Sequence, residues 1–289
     1  MKNTFMKDKK LYKLYKNKDK GDRTMLEKEK LIKQAEGAIA WIKEYVKQTG
    51  AKGVVVGNSG GKDSATVIAM ATKALGKENV VAVSMPCHSI SNDFDDAKLV
   101  ADTFGVNFLK VDLTDTYNEL EKAVHISIGQ ESLEEKAFSI KALSTEATIN
   151  IKPRLRMTTL YGIAQSLGYL VIGTGNLCEA MVGYTTKWGD NSSDFNPIGN
   201  FTVDEVLAIG KYLGVPEKIL QKAPNDGLGG KTDEEKMGIK YSQIAEMIET
   251  GNTEENAKKE ILKRYNASKH KRELVPVYTF ERKNYLKMK

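Results

Sequence analysis

Gly53-Val54-Val55-Val56-Gly57-Asn58-Ser59-Gly60-Gly61-Lys62-Asp63-Ser64-Ala65 decides how this chain folds. Three consecutive valines between small residues predict a buried parallel strand. The polar, glycine-rich turn that follows runs into Ala65-Thr66-Val67-Ile68-Ala69-Met70, whose apolar periodicity predicts a helix. At such a junction the free backbone N–H groups and the positive end of the helix dipole converge on one point, and Gly60 and Gly61 let an anion approach closely. The stretch reads as a phosphate site, with a purely structural glycine-rich turn as the plainer alternative.

It is not a Walker A loop. With Gly61-Lys62 in place, that motif needs Gly at position 56 and Ser or Thr at position 63, where the chain has Val56 and Asp63. Ser59-Gly60-Gly61-Lys62-Asp63-Ser64 instead resembles the pyrophosphate loop of the ATP pyrophosphatase superfamily, whose members split ATP between the α and β phosphates and adenylate a substrate. A carboxylate beside a polyphosphate is repulsive unless Mg²⁺ lies between them, which gives Asp63 a chemical reason to be there.

Working outward, Leu31, Ile32, Ala35, Ile39, Ile42 and Val46 recur at helical spacing before Gly50, so a helix is expected over 26–49. A helix over 64–75 leads to a second strand at Val80-Val81-Ala82-Val83. Then come a helix from Asp93 to Phe104, a strand from Val106 to Val111, helices over 115–126 and 132–149, and an amphipathic helix from Leu155 to Leu167. Tyr169-Leu170-Val171-Ile172 is the fourth strand. Alternating strands and helices predict an α/β fold, a doubly wound, Rossmann-like parallel sheet flanked by helices. The superfamily resemblance implies the adenine nucleotide alpha hydrolase-like version of it. Ligands then bind where the turns after the strands gather.

Composition bounds the function. The 289 residues, 40% hydrophobic and 28% charged, suit one α/β catalytic domain, expected over 25–289. The net charge of +6 sits in residues 1–24, where eight Lys and one Arg face Asp8, Asp19 and Asp22. This segment is expected to be a solvated, flexible tail rather than a nucleic-acid arm. No long apolar run or signal-peptide core is present, so no membrane partner is expected. Two cysteines far apart, Cys87 and Cys178, suggest a reducing, cytoplasmic setting. They are read as structural, since with His88 and His125 they make no ligand set.

The turn after the fourth strand is more specific. Gly173-Thr174, Glu179-Ala180 and Gly183-Tyr184-Thr185-Thr186-Lys187-Trp188-Gly189-Asp190, with Asn150-Ile151-Lys152-Pro153-Arg154-Leu155-Arg156-Met157 upstream, are similar to the signature of the ammonia-dependent NAD⁺ synthetase family. Asp194, Asn196-Pro197, Thr232-Asp233-Glu234, Gly238-Ile239-Lys240-Tyr241 and Lys269-His270-Lys271-Arg272 extend the likeness over about residues 30–275. By that resemblance, the enzyme amidates deamido-NAD⁺ with ammonia through an NAD-adenylate, releasing AMP and diphosphate. Gly57, Asn58, Ser59, Gly60, Gly61, Lys62, Asp63, Ser64, Thr174 and Asn225 are the ATP positions, ATP being the co-substrate. Asp63 and Glu179 hold Mg²⁺, and with Lys62 form the catalytic set. Arg154, Lys187, Asp194, His270 and Lys271 are the deamido-NAD⁺ positions, and a homodimer with the dinucleotide at its interface is implied. Taken singly, Glu179 could merely complement a helix dipole and Lys187 could be a surface lysine; their joint spacing with Arg154 and Thr174 favours the functional reading.

Two positions depart from the family pattern. Val203 stands where the family places an ATP-contacting lysine, and Asn225 where it has Ser or Thr. Asn225 can still donate to phosphate, but Val203 cannot. Lys231, in the loop Gly227-Leu228-Gly229-Gly230-Lys231, is the nearby substitute, and that loop has the composition of a lid. A tRNA-modifying superfamily member or a non-catalytic nucleotide sensor remains the alternative. Neither paired Cys-x-x-Cys motifs nor a basic folded face supports the first, and Asp63 with Glu179 argues against the second. The chain is also read as having no room for a glutamine-hydrolysing domain.

Overall fold

The computed structural model describes residues 20–89, 91–130, 142–222 and 232–278. The basic tail up to residue 19, part of the helix expected over 132–149, Asn225, and the loop carrying Lys231 lie outside the described residues. The chain order begins α1 (Lys20–Thr49), β1 (Val54–Gly57), α2 (Lys62–Leu75), β2 (Val80–Ser84), α3 (Ser91–Phe104), β3 (Asn107–Lys110) and α4 (Thr114–Gln130). It continues with α5 (Thr145–Leu167), β4 (Leu170–Ile172), α6 (Leu177–Val182), α7 (Val203–Tyr212), α8 (Glu217–Leu220), α9 (Asp233–Met237), α10 (Tyr241–Thr250) and α11 (Glu255–Ala267).

The sheet is parallel in the order β3-β2-β1-β4, with Val54 opposite Val80 on one side and Leu170 on the other. The valines of β1 show why. Val54, Val55 and Val56 are all 0% exposed. By the two-residue period of a strand, Val54 and Val56 pack with α1, α2 and α7 on one face, while Val55 packs with α4 and α5 on the other. β3 is an exposed edge. The outer edge of β4 is covered by a short segment in which Asp194 N donates to Val171 O at 2.9 Å and the Asp194 carboxylate accepts from Val171 N at 2.7 Å. Such cover removes a sticky sheet edge.

Two helices differ from expectation. α1 begins at Lys20 instead of 26, and the helices expected to part around Pro153 are one 23-residue helix, α5. Proline removes an amide donor and ordinarily breaks a helix. Here tertiary contacts hold the turn. Asn150 Oδ1 accepts from Thr186 Oγ1 at 2.5 Å, Arg154 donates to Lys187 O at 3.3 Å, and a Cβ on Gly189 would sit 3.2 Å from that of Pro153. Ser144 caps the start of α5 and Gly168 ends it in the left-handed region.

From β1 the chain runs through β2 to β3, then returns to pair β4 on the opposite side of β1. The turns after β1 and β4 therefore diverge, and the crevice between them is the switch point where doubly wound sheets bind ligands.

Candidate active site

Asn58 shapes the first wall of the crevice. Only 3% exposed, it donates from its backbone to Val83 O and from Nδ2 to Ala97 O, both at 2.8 Å, while its Oδ1 accepts from Gly60 N at 3.1 Å. The last bond closes an Asx turn, which carries the loop over α3. Gly60 lies at φ +71°, and a Cβ there would meet Asp96 Cβ at 2.7 Å and both Ala97 N and Asp93 O at 2.9 Å. Only glycine fits. Ser59 Oγ accepts from Gly61 N at 3.2 Å, and Gly61, the N-cap of α2, supplies no side-chain acceptor to the helix. The leading amides of α2 are thus presented to an anion.

The second wall comes from the turn after β4. Asn176 and Glu179 form a capping box at the start of α6, with Glu179 N donating to Asn176 Oδ1 at 3.0 Å and Asn176 N to Glu179 Oε2 at 2.9 Å. Asn176 Nδ2 donates to Asp63 Oδ1 at 3.2 Å, so one buried amide joins the two walls. Lys62 Nζ lies 2.9 Å from Asp63 Oδ2. Desolvation, reinforced by the charge on Asp63, pushes the Glu179 carboxyl up to about 8. For Lys62, burial acts to lower the pKa, but Asp63, Glu179 and Asp233 more than offset it and hold the ammonium above its ordinary value. Asp233, 6% exposed, accepts from the hydroxyls of Tyr184 and Tyr241 at 3.2 and 3.4 Å.

Lys62, Asp63, Glu179, Tyr184 and Asp233 line a cavity of about 860 Å³. Its lining holds the carboxylates Asp63, Asp93, Asp95, Asp112, Glu179, Asp190 and Asp233 against the cations Lys62, Lys110, Arg156, Lys222 and Lys271. A polyphosphate entering such a site needs added positive charge. Among the described residues, no three His, Cys, Asp or Glu are grouped to hold a metal by themselves. The mutually repelling pair Asp63 and Glu179 fits a hard divalent ion that arrives with phosphate oxygens, which is how Mg²⁺ ordinarily binds.

Gly57, Asn58, Ser59, Gly61, Lys62, Asp63, Ser64, Thr174 and Glu179 all line the cavity, as does Lys271, and Gly60 lies behind it in the same loop. Arg154, Lys187, Asp194 and His270 do not line it. Arg154 donates to Lys187 O, Lys187 Nζ lies 5.3 Å from the ring centre of the exposed Trp188, and Asp194 Oδ1 accepts from Tyr161 at 3.3 Å. Lys271 Nζ donates to Gly183 O at 2.8 Å and Thr185 O at 2.5 Å, and its burial lowers the pKa. Val203 is 6% exposed and packs with Cys178, Met237 and Tyr241, so the apolar residue has an apolar setting. Sequence reasoning assigned no role to Asn176, Asp233, Tyr241 or Lys222. An Asn three residues before a Glu is a capping-box signal and could have found the first. Asp233 and Tyr241 stand in the motifs Thr232-Asp233-Glu234 and Gly238-Ile239-Lys240-Tyr241 without a role assigned there, and Lys222 meets the site only through packing.

A family model described as NAD synthase matches residues 34–284. The chain is similar to the NH(3)-dependent NAD(+) synthetase of Carboxydothermus hydrogenoformans, 39% identical over 84% of this chain and 96% of that one. It is 40% identical to the protein of that name from Pyrococcus horikoshii, over 72% and 75%. Among solved structures, the NMN synthetase of Francisella tularensis matches with TM-score 0.77 and 30% identity, over 86% of this chain and 99% of that one. The NH3-dependent NAD synthetase of Campylobacter jejuni, bound to nitrate, matches with TM-score 0.66 and 26% identity over the same shares.

Proposed function

The chain belongs to the NAD synthase family, and from that premise we infer an ATP-dependent ligase that amidates deamido-NAD⁺ with ammonia, giving NAD⁺. The observation that carries this reading is the Asn176 bridge, which brings the phosphate loop and the Glu179 turn into one cavity. A nicotinate carboxylate is a poor acyl donor. Its oxygen attacks the α-phosphorus of ATP, the bond to the β-phosphate breaks, and diphosphate leaves with the electron pair. Ammonia then attacks the acyl carbon of the adenylate, AMP departs, and one proton passes to solvent.

The loop from Gly57 to Ser64 holds the leaving diphosphate through its amides, and the ammonium of Lys62 faces the same charge. Such fixed electrostatics is the usual source of rate in these transfers. Thr174 contacts ATP at the opposite wall. Asp63 and Glu179 would hold Mg²⁺, which supplies positive charge to the phosphates. Both thiols are unsuited to amide hydrolysis of glutamine: burial raises Cys87, and it pushes Cys178 up to about 11. Ammonia itself is therefore the proposed nitrogen donor.

Arg154, Lys187, Asp194 and His270 stand outside the cavity of the single chain. A homodimer in which these residues meet the dinucleotide across the interface accounts for their placement. No described helix is long and apolar enough to cross a membrane. A cytoplasmic enzyme is proposed, and residues 20–24, expected to belong to the tail, are the first turns of α1. The Francisella tularensis protein favours a second reading, in which nicotinate mononucleotide is the acyl substrate. Incubation with ATP, Mg²⁺ and ammonium, offering deamido-NAD⁺ or the mononucleotide, tests both. NAD⁺ with one AMP per turnover is expected; amidation of the mononucleotide alone transfers the assignment, and no amide from either overturns it.

A further inference from the structure

Beside the phosphate loop lies an ion cluster to which the amidation chemistry gives no task. Lys222 Nζ, just past α8, is 2.9 Å from Asp93 Oδ1 and 2.7 Å from Asp96 Oδ2. Lys218 Nζ is 2.7 Å from Asp96 Oδ1, but its side chain is 68% exposed, against 28% for Lys222 and 5% for Asp96. Lys222 and Asp93 line the cavity.

Both carboxylates sit in the first turns of α3, the surface on which the phosphate loop rests. The missing Cβ of Gly60 is what lets Asp93 O, Asp96 Cβ and Ala97 N come so near, and Asn58 Nδ2 donates to Ala97 O. Two negative charges therefore stand directly behind the backbone that is to receive a triphosphate. Burial acts to lower the pKa of Lys222, but Asp96 and Asp93 more than offset it, so the ammonium stays charged. Burial acts to raise Asp96, and Lys218 and Lys222 more than offset that in turn.

We infer that Lys222 is a positioning residue for ATP: it neutralises Asp93 and Asp96 behind the phosphate loop and pins the end of α8 to α3, so that Gly60 rests on a fixed surface. The inference depends on the ATP reading of the cavity. Losing the lysine leaves Asp93 uncompensated and Asp96 with only an exposed partner. Both then repel the incoming phosphates.

The test compares Lys222→Met, Lys222→Arg and the double variant Lys222→Met/Asp93→Asn with the wild type. Each is assayed for kcat, for KM of ATP and of deamido-NAD⁺, and for equilibrium binding of a non-hydrolysable ATP analogue. For Lys222→Met, the KM of ATP and the Kd of the analogue should rise on the order of tenfold, with the KM of deamido-NAD⁺ within about twofold of wild type. Lys222→Arg should restore most of the affinity, because it keeps the charge. The double variant should regain part of it, because it removes the carboxylate that the lysine had masked. Unchanged ATP affinity in Lys222→Met, equal loss in Lys222→Arg, or a loss undiminished by Asp93→Asn would each overturn the inference. A wild type that binds the analogue but forms no amide would instead sink the amidation reading and leave this comparison decidable by binding.

Discussion

Asp63 and Glu179 face each other across the crevice, and the charge on Asp63 adds to the desolvation that raises Glu179 to about 8. Two carboxylates so placed are costly unless a cation is shared, so neutral amides should bind no metal and give no adenylate. Asp63→Asn and Glu179→Gln are expected to lower NAD⁺ formation by about 10²-fold or more, with circular dichroism and melting temperature close to wild type. NAD⁺ formation at near wild-type rate in either would remove the metal assignment. Gly60 makes a different demand. Gly60→Ala places a Cβ at φ +71° within 3 Å of α3 backbone, for a strain of about 1–2 kcal/mol from the dihedral alone. A lower urea midpoint together with weaker ATP binding is expected, and a variant unchanged in both would contradict the packing described.

At the scale of elements, α2, α6 and α3 are the helices whose first turns build the site. Asn176→Ala removes the α6 cap, worth roughly 1 kcal/mol, and also the bridge to Asp63. Its kcat should therefore fall further than its stability, whereas Thr202→Ala, which removes the same kind of cap on α7, should cost stability with little effect on kcat. The ion cluster on α3 predicts a pH dependence. Asp96 is held below its ordinary value in the fold, so its stabilisation is present above pH about 4 and is lost as pH falls through the depressed folded value. Lys222 is raised, so its share is present through neutral pH and is lost only as pH climbs through its elevated folded value. Thermal melts from pH 7 down to pH 3 should show an acid limb that Asp96→Asn flattens, at a cost of about 1–3 kcal/mol at pH 7.

For the whole molecule, the placement of Arg154, Lys187, Asp194 and His270 outside the cavity predicts that the chain forms the proposed homodimer and that activity follows it. Light scattering alongside dilution assays should show turnover falling as the dimer dissociates, and a fully active monomer would refute the interface. The nitrogen donor is tested with ammonium chloride against glutamine freed of ammonia. Only the first should support NAD⁺ formation, at a rate that rises through mildly alkaline pH as NH₃ replaces NH₄⁺ where amination limits. Cys87→Ala and Cys178→Ala should leave donor choice unchanged; each removes a buried group and costs on the order of 1 kcal/mol.

The strands and the phosphate loop were legible in the sequence because their causes are local. Three valines at 54–56 between small residues read as a buried strand between two layers, and Gly60-Gly61 before a helix as a turn that presents amides. Glu179 and Thr174 were legible from a motif of fixed spacing within one turn. The unbroken α5 was not, because a proline rule is local and the contacts of Asn150 and Arg154 with residues 186–187 are not. Nor could sequence place Asn176 against Asp63, 113 residues away, or Lys222 against Asp93, 129 residues away. Sequence by itself determined the strands, most of the helices and the family. Tertiary structure alone decided which walls meet and which charges neutralise one another, since a Coulomb or hydrogen-bond partner is fixed by distance in space, and that distance exists only once the sheet order β3-β2-β1-β4 has closed the crevice.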